Sequence, residues 1–429
     1  MLKANIFKSL DALVDLKIAG KPIGVAFSGG GDSIALLSLT LKWLAGRQNL
    51  HALIVDHGLR AGSSKEVQMA AQVAKNLGAI PHILTWQGAK PTASLQEKAR
   101  MARYSLMGAK CRSLGIETLL LGHNQNDQAE TVYMRGQKNS GWRGMAGMRA
   151  NVRAPIWPEL YGVNIVRPML GVSREMLRSY DRENDLDFID DPSNENQMFT
   201  RVQARTYLKT RPSLAAMLHT IAQDAGRGLR EERMQLRALL AAHVKIHHWG
   251  GVTLNKQAIA GNGDLGCELL RCLSLAVSGQ GQAPAREKFS KLRGSILSPR
   301  FQGATLGGAQ FIANETDVQL VRDPGQVLGR SGRGGLDLQP LCAGEDFVWD
   351  GRFHVQVAEE GLSVAPLAAY ADMLTKRQKQ VLKSIPLSAR MTLPALVRAG
   401  TLVYSPVDEP STRYQLNSLT RQRLANLSD

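Results

Sequence analysis

Short apolar runs alternate with longer amphipathic stretches over residues 22–135. The run Ile23–Phe27 is continuously apolar, which is typical of a strand buried on both faces. Strand patterns recur at His51–Asp56, His82–Trp86 and Thr118–Gly122, and a helical pattern follows each of them. Strands that alternate with helices in this way predict a parallel, doubly wound α/β sheet.

Two of the predicted helices begin with a capping-box pattern, a serine followed three positions later by a glutamate. The pairs are Ser63 with Glu66 and Ser94 with Glu97. We therefore expect each serine side chain to cap its own helix.

The periodicity is lost over residues 136–168, which are rich in Gly, Arg and Trp, and we predict a long loop there. Helical patterns return over Ser173–Glu183 and 215–242, and GRSGRGG at Gly329–Gly335 is typical of a linker. Three domains are predicted: an α/β catalytic domain at 1–210, a helical and mixed region at 211–328, and a small α+β domain at 336–429.

Charge changes this picture. The 429 residues carry a net charge of +16, and both halves are basic, +9 over residues 1–210 and +7 over the rest. A positive charge spread along the chain favours a polyanionic partner. The hydrophobic content of 44% is that of a folded globular protein. The chain has no apolar run long enough for a membrane span and no disulfide framework among its four cysteines, so we expect a reduced, cytoplasmic protein.

The strongest chemical signal is the segment GVAFSGGGDSIALL, residues 24–37, which joins the first strand to the first following helix. Ligands of such sheets bind at the carboxyl ends of the strands, and glycines at a helix N-terminus let backbone N–H groups approach an anion. The segment contains neither the Walker pattern nor GxGxxG. It therefore predicts a phosphate cradle of another type, formed by Ser28, Gly29, Gly30, Gly31, Asp32 and Ser33.

The SGGGDS sequence resembles the pyrophosphate loop of the N-type ATP pyrophosphatases, which cleave ATP between the α and β phosphates and adenylate a carbonyl oxygen. The downstream motifs are more specific. Over roughly the first 210 residues they resemble the tRNA(Ile)-lysidine synthetase family, in the order VDHGLR, EKARMARYSLM, GHNQNDQAET, SGWRGMAGM, RPML and DDPSNENQMFTRVQAR.

The resemblance implies an ATP- and Mg²⁺-dependent ligase that acts on the isoleucine tRNA with a CAU anticodon. Free L-lysine would be joined to C2 of the wobble cytidine through an adenylated intermediate, giving lysidine, AMP and pyrophosphate. The modified base pairs with A rather than G, so codon recognition would change from AUG to AUA.

The resemblance also implies roles for individual residues. Asp32 matches the metal-contacting acid of the loop, and Ser28 and Ser33 can donate to phosphate oxygens. Asp127 and Glu130, which lie on one helical face because they are three residues apart, match the family's lysine-site acids. Arg205 matches a family arginine near the same site. Apart from the resemblance, Asp56 and His123 lie at the ends of predicted strands, and we expect both near ATP, with a structural hydrogen bond as the alternative.

The chain departs from the family pattern at two positions. Asn126 stands where the family usually has the first acid of GHxxDDQAET, and Val202 replaces an amide in the RNxIR segment, while Arg201 is kept.

Two other functions remain open at this point, a tRNA thiolase that uses the same loop and an inactive RNA-binding paralogue. RNA contacts are expected from Trp142, Arg143, Arg149 and Arg153, since an aromatic ring and arginines suit a single-stranded anticodon loop. The sequence leaves the oligomeric state open, a homodimer included.

Overall fold

The computed structural model describes residues 2–14, 21–47, 49–59, 62–91, 93–188, 200–330 and 333–428. Within them the chain divides into two compact units, Met1–Glu231 and Glu232–Asp429. The division into three domains stays a prediction. None of the helices in these ranges is long and apolar enough to cross a membrane.

The first unit is built on a six-stranded sheet covered by helices. Its strands are β1 (Ile23–Ala26), β2 (Leu50–Asp56), β3 (Ile80–Thr85), β4 (Thr118–Leu120), β5 (Asn151–Arg153) and β6 (Asn164–Val166). Its helices are α1 (Leu2–Leu13), α2 (Gly31–Leu44), α3 (Ser63–Leu77), α4 (Leu95–Ser113), α5 (Gln125–Gln137), α6 (Gly141–Met145), α7 (Arg174–Glu183) and α8 (Thr200–Lys209), and α9 (Pro212–His243) extends past the boundary of the unit.

The strand order is β3-β2-β1-β4-β6-β5, and every neighbouring pair is parallel except β5 with β6. The predicted parallel, doubly wound sheet is therefore confirmed. The order reverses at β1, so the loops after β1 and β4 meet at a switch point, where such sheets bind ligands.

Two local predictions were wrong. Residues 136–168 contain α6, β5 and β6 rather than a continuous loop, because three-residue strands are too short to show a hydrophobic period. The capping boxes are absent as well, since neither Ser63 nor Ser94 caps its helix. Ser63 donates instead to Asp56, and Ser94 adopts a left-handed conformation with φ 53°.

The second unit contains smaller, mainly antiparallel sheets. Its strands are β7 (Val244–Ile246), β8 (Val252–Asn255), β9 (Ala304–Leu306), β10 (Ala309–Ala313), β11 (Asp317–Arg322), β12 (Gly329–Arg330), β13 (Arg333–Gly334), β14 (Gln339–Pro340), β15 (Phe347–Trp349), β16 (Phe353–Val357), β17 (Ser363–Pro366), β18 (Pro394–Arg398), β19 (Thr401–Tyr404) and β20 (Tyr414–Ser418). Its helices are α10 (Gln257–Ala260), α11 (Gly263–Ser278), α12 (Arg286–Ile296), α13 (Pro324–Val327), α14 (Lys376–Leu382), α15 (Leu387–Arg390) and α16 (Thr420–Ser428), with a 3₁₀ helix at Leu367–Met373.

Helix α2 ties the phosphate loop to the core of the first unit. Ile34, Leu36, Leu37 and Leu39 of this helix are almost completely buried and pack with β1 and β2 residues. The phosphate loop, which precedes α2, is consequently attached to a helix that is anchored in the core of the first unit.

We predict that Leu36→Ala lowers the free energy of unfolding of the first unit by about 2–5 kcal/mol, the range for removing a fully buried leucine side chain. Urea denaturation checks this, with Met69→Ala as the control because Met69 is 59% exposed. Equal effects of the two substitutions would contradict the assignment of α2 as the core helix.

Candidate functional site

The phosphate loop leaves β1 at Phe27 and enters α2 at Gly31. Gly29 has φ 78°, a left-handed conformation that favours glycine. The Ser33 hydroxyl donates to the Gly30 carbonyl oxygen at 2.8 Å and lies 3.3 Å from the Ser28 hydroxyl. The two serines therefore hold the loop in shape in front of the helix N-terminus, as expected for a cradle that receives an anion.

Asp32 lies in the first turn of α2, next to this loop. Its Oδ2 is 3.4 Å from Nε of Arg174, whereas Oδ1 is buried without a hydrogen-bond partner in the described part of the chain. Burial raises the pKa of Asp32 above its ordinary value, although Arg174 opposes this. The unpartnered oxygen leaves Asp32 able to bind a cation.

The donor set also bears on the predicted magnesium ion. The described residues contain no group of three His, Cys, Asp or Glu side chains that could hold a metal by themselves. Mg²⁺ in nucleotide sites commonly takes one or two carboxylates and completes its shell with phosphate and water. Asp32, with one free buried oxygen beside a phosphate loop, fits that requirement.

Helix α5 begins with a capping box that the sequence analysis did not identify. Asn124 accepts from the backbone N–H of Asp127 at 3.0 Å, and Oδ2 of Asp127 accepts from the backbone N–H of Asn124 at 3.0 Å. Asp127 thus stabilises the start of the helix with one oxygen and keeps Oδ1 for other partners. The lysine-site role predicted for Asp127 is therefore compatible with a structural role at the start of α5.

Three arginines surround Asp127 and Glu130. We use the name charge cluster for three acids and three arginines, which are Asp32, Asp127, Glu130, Arg174, Arg201 and Arg205. Arg201 Nε is 2.9 Å from Glu130 Oε2, and Arg205 Nε is 2.8 Å from Glu130 Oε1. Asp127 Oδ1 lies 3.0 Å from Arg174 Nη2, 3.2 Å from Arg201 Nη2 and 3.8 Å from Arg205 Nη2.

Burial makes the two acids dependent on their arginine partners. Glu130 is 2% exposed and Asp127 is 7% exposed, so both acids are removed from water and depend on the arginines. Burial alone would raise the pKa of Asp127, but Arg201 and Arg174 outweigh it and hold the pKa below its ordinary value. Asp127 therefore carries a negative charge at neutral pH.

Asp56 and His123 lie at the carboxyl edge, as predicted, and both are engaged with protein groups. Asp56 accepts from the backbone N–H of Gly58 and from the hydroxyls of Ser63 and Ser64 at 2.9–3.0 Å. His123 Nδ1 accepts from Arg167 Nε at 3.2 Å. Burial and Arg167 lower the pKa of His123 to about 3, so its ring is uncharged at neutral pH. Their contact with ATP stays a prediction.

Side chains of α5 hold the part of the Gly- and Arg-rich region that contains Gly144, Gly147 and Met148. The Gln128 amide pairs with both the N–H and the C=O of Met148 at 2.7 and 2.9 Å. Arg135 donates to the carbonyls of Gly144 and Gly147. Trp142 is 46% exposed, so its ring is accessible on a segment that two side chains of α5 hold in place.

Sequence reasoning missed Arg174. It is the first residue of α7, which follows β6, and β6 itself lay inside the segment interpreted as a loop. If β6 had been identified, the start of α7 would have been expected at the carboxyl edge of the sheet. Arg174 would then have been expected close to the phosphate loop and the acid pair. The DDPSN segment, with which the last family motif begins, lies outside the described residues.

Comparison with known proteins agrees with this geometry. A family model for the PP-loop domain matches residues 3–211. The chain is 36% identical to a tRNA(Ile)-lysidine synthase of Hyphomonas neptunium over 323 residues, which cover 74% of this chain and 86% of the relative. The chain belongs to the tRNA(Ile)-lysidine synthase family.

A second family member, from Caulobacter vibrioides, is 31% identical over 88% of this chain and 84% of its own length. Among solved structures, a U34-tRNA thiolase from Methanococcus maripaludis with its 4Fe-4S cluster shares 14% identity over 52% of this chain and 78% of its own, with a TM-score of 0.43.

The departure from the family pattern at Asn126 has a structural explanation. Its side-chain oxygen accepts from the backbone N–H of Arg174 at 2.9 Å, while Ser173 caps the same helix by accepting from Met176. Asn126 therefore joins the start of α5 to the start of α7. A carboxylate can accept the same bond, so the substitution preserves this connection.

We predict that Asn126→Asp keeps full activity and slightly raises stability, because an acid at a helix N-terminus is favourable by about 0.3–1 kcal/mol. Asn126→Ala removes the acceptor of the Arg174 N–H and should lower the free energy of unfolding by about 1 kcal/mol. Thermal unfolding of both variants beside the wild type checks this. A loss of stability in Asn126→Asp would show that the amide itself is required.

Proposed function

We propose that the protein joins free L-lysine to C2 of the wobble cytidine in the CAU anticodon of isoleucine tRNA, using ATP and releasing AMP and pyrophosphate. The product, lysidine, changes the codon that the tRNA reads from AUG to AUA. The reaction is proposed to take place in the cytoplasm.

One observation carries the proposal. The phosphate loop and the acid pair Asp127 and Glu130 share one edge of the sheet, and Arg174 contacts Asp32 and both acids. A ligase of this kind needs an anion cradle for ATP directly beside a site for an amine nucleophile. Lysine carries two ammonium groups and a carboxylate, so a mixed set of buried acids and arginines suits it.

The reaction has two steps. The C2 carbonyl oxygen of cytidine attacks the α-phosphorus of ATP, and pyrophosphate leaves into the loop formed by Ser28, Gly29–Gly31 and Ser33. The lysine amine then attacks C2, and the C2–O bond to AMP breaks. Backbone N–H groups at the start of α2 stabilise the negative charge on the departing pyrophosphate.

The acid pair serves to bind and orient the amine. Since the pKa of Asp127 is held below its ordinary value, this carboxylate is a weak proton acceptor at neutral pH and a strong partner for an ammonium group. Arg205, which donates to Glu130 at 2.8 Å, is the cation proposed to stabilise negative charge that develops nearby. Positioning of this kind accounts for much of the rate of a two-substrate reaction.

Asp32 is the residue proposed to hold Mg²⁺ through its unpartnered Oδ1. A bound Mg²⁺ would neutralise part of the charge on the ATP phosphates. Arg174 balances the charge of the other oxygen of Asp32, which it meets at 3.4 Å.

The thiolase alternative meets an obstacle in the cysteines. Cys111, Cys267 and Cys272 are buried, and Cys342 is exposed. Burial raises the pKa of the Cys111 thiol and of the Cys272 thiol to about 12. A catalytic cysteine must be a thiolate, so these two buried cysteines are poorly suited to sulfur transfer. The inactive-paralogue alternative rested on Asn126, which the bond to Arg174 accounts for.

The tRNA is proposed to bind along the basic surface of the chain, with Trp142, Arg143, Arg149 and Arg153 near the anticodon and regions 211–328 and 336–429 as further contacts. Arg143 lies over the Trp142 ring at 4.7 Å, a pair that can stack on an unpaired base and contact its phosphate. The homodimer left open by the sequence remains a hypothesis.

We predict that the purified protein with Mg-ATP incorporates labelled lysine into an unmodified isoleucine tRNA transcript with a CAU anticodon, with one AMP formed per lysine. A methionine tRNA with the same anticodon should accept none. Glu130→Gln should lower kcat/KM for lysine at least about 100-fold, because it removes the buried negative charge that Arg201 and Arg205 pair with.

The matched control is Glu117→Gln, since Glu117 pairs with Lys21 at a half-exposed position. It should leave the rate unchanged. Absence of lysine incorporation in a preparation that binds both ATP and the tRNA would contradict the proposed function.

A further inference from the structure

Arg174 is in contact with all three acids of the charge cluster. Its Nη2 is 3.0 Å from Asp127, its Nε is 3.4 Å from Asp32, and its Nη1 is 3.8 Å from Glu130. The guanidinium therefore fills the space among these carboxylates, where a substrate ammonium group would have to bind.

The charges of the cluster decide whether a cationic substrate can bind beside Arg174 or must replace a guanidinium group. Asp32, Asp127 and Glu130 supply three negative charges, and Arg174, Arg201 and Arg205 supply three positive charges. An added ammonium group would place a fourth positive charge beside the buried acids Asp127 and Glu130, which is unfavourable. A cationic substrate therefore binds most favourably by replacing one of the three guanidinium groups.

Of the three arginines, Arg174 is the one held least tightly by Glu130, although it makes the shortest contact with Asp127. Arg201 and Arg205 donate to the two oxygens of Glu130 at 2.9 and 2.8 Å, whereas Arg174 approaches Glu130 no closer than 3.8 Å. Its bond to Asp32 is long as well, and Asp32 keeps a second oxygen without a partner. Displacement of Arg174 breaks one short hydrogen bond, that to Asp127.

The backbone of Arg174 stays anchored when its side chain moves. The N–H of Arg174 is bonded to Asn126, and the helix is capped by Ser173. α7 also packs against α2, where Tyr180 meets the Ser38 hydroxyl at 2.9 Å. The guanidinium can thus leave the acids without a shift of the helix that carries it.

We propose that Arg174 sets the affinity for the amine substrate by competing with it for Asp127 and Glu130. This inference rests on the proposed function and goes beyond it. The amine takes the place of the Arg174 guanidinium, and Arg201 with Arg205 remains bound to Glu130. The affinity for lysine is therefore set by the difference between two binding free energies, that of the lysine ammonium group and that of the Arg174 guanidinium for the same acids.

The test is calorimetric binding of lysine to the full chain in the presence of a non-hydrolysable ATP analogue, for wild type and Arg174→Gln. Removal of the competing charge should lower the dissociation constant for lysine about tenfold, and added salt should reduce the gain. Norleucine, which has the same side-chain carbons as lysine but lacks the ammonium group, should bind equally to both proteins.

Arg182→Gln is the matched control, because Arg182 lies on the same helix and donates to the Ser179 hydroxyl instead. Arg174→Lys keeps the charge and should restore wild-type lysine affinity. Thermal unfolding of each variant shows whether it is folded.

Weaker or unchanged lysine binding by a folded Arg174→Gln would overturn the competition and identify Arg174 as a binding group or a structural one. Tighter binding of both lysine and norleucine would also overturn it, because the effect would not depend on the ammonium charge. A failure of the proposed function would look different, because then neither the wild type nor Arg174→Gln would bind lysine. Incorporation of lysine into tRNA by the wild type excludes that case.

Discussion

The site depends on the pairing of one buried acid, Glu130, with the two arginines of α8. Glu130 is 2% exposed, and a carboxylate so far from water is stable only when its charge is compensated. Arg201 and Arg205 lie four residues apart on α8, so one face of that helix supplies both cations. The requirement to pair this acid brings α8 against α5, and apolar contacts of Val132 with Leu208 continue the same interface.

The rest of the site follows from how sheet topology places helix starts. The phosphate loop after β1, the capping box after β4 and the start of α7 after β6 all lie at the carboxyl edge of parallel strands. Gly122 passes the first turn of α2 so closely that a Cβ there would lie 3.1 Å from the Asp32 carbonyl oxygen. An anion cradle and an amine site are thereby held next to each other on rigid elements, as a reaction between two bound groups requires.

The sequence was sufficient for the sheet, because buried apolar runs are a local signature. It also singled out the phosphate loop by its serine-glycine cluster and the acid pair by the family motif, and the roles of these residues stay predictions. It was insufficient for Arg174, whose role depends on the short strand β6 and on contacts between residues more than forty positions apart. It also misplaced the helix caps. A serine at a helix start can bond elsewhere, as Ser63 does with Asp56, and only the fold determines which partner is nearer.

The most direct test of this account is a double-mutant cycle between Glu130 and Arg201, read as the free energy of unfolding of the first unit. Glu130→Gln and Arg201→Gln are each expected to be destabilising, and the double variant should lose clearly less than their sum, with a coupling of about 1–3 kcal/mol. Additivity within about 0.5 kcal/mol would contradict the claim that the pairing of this buried acid holds the site together.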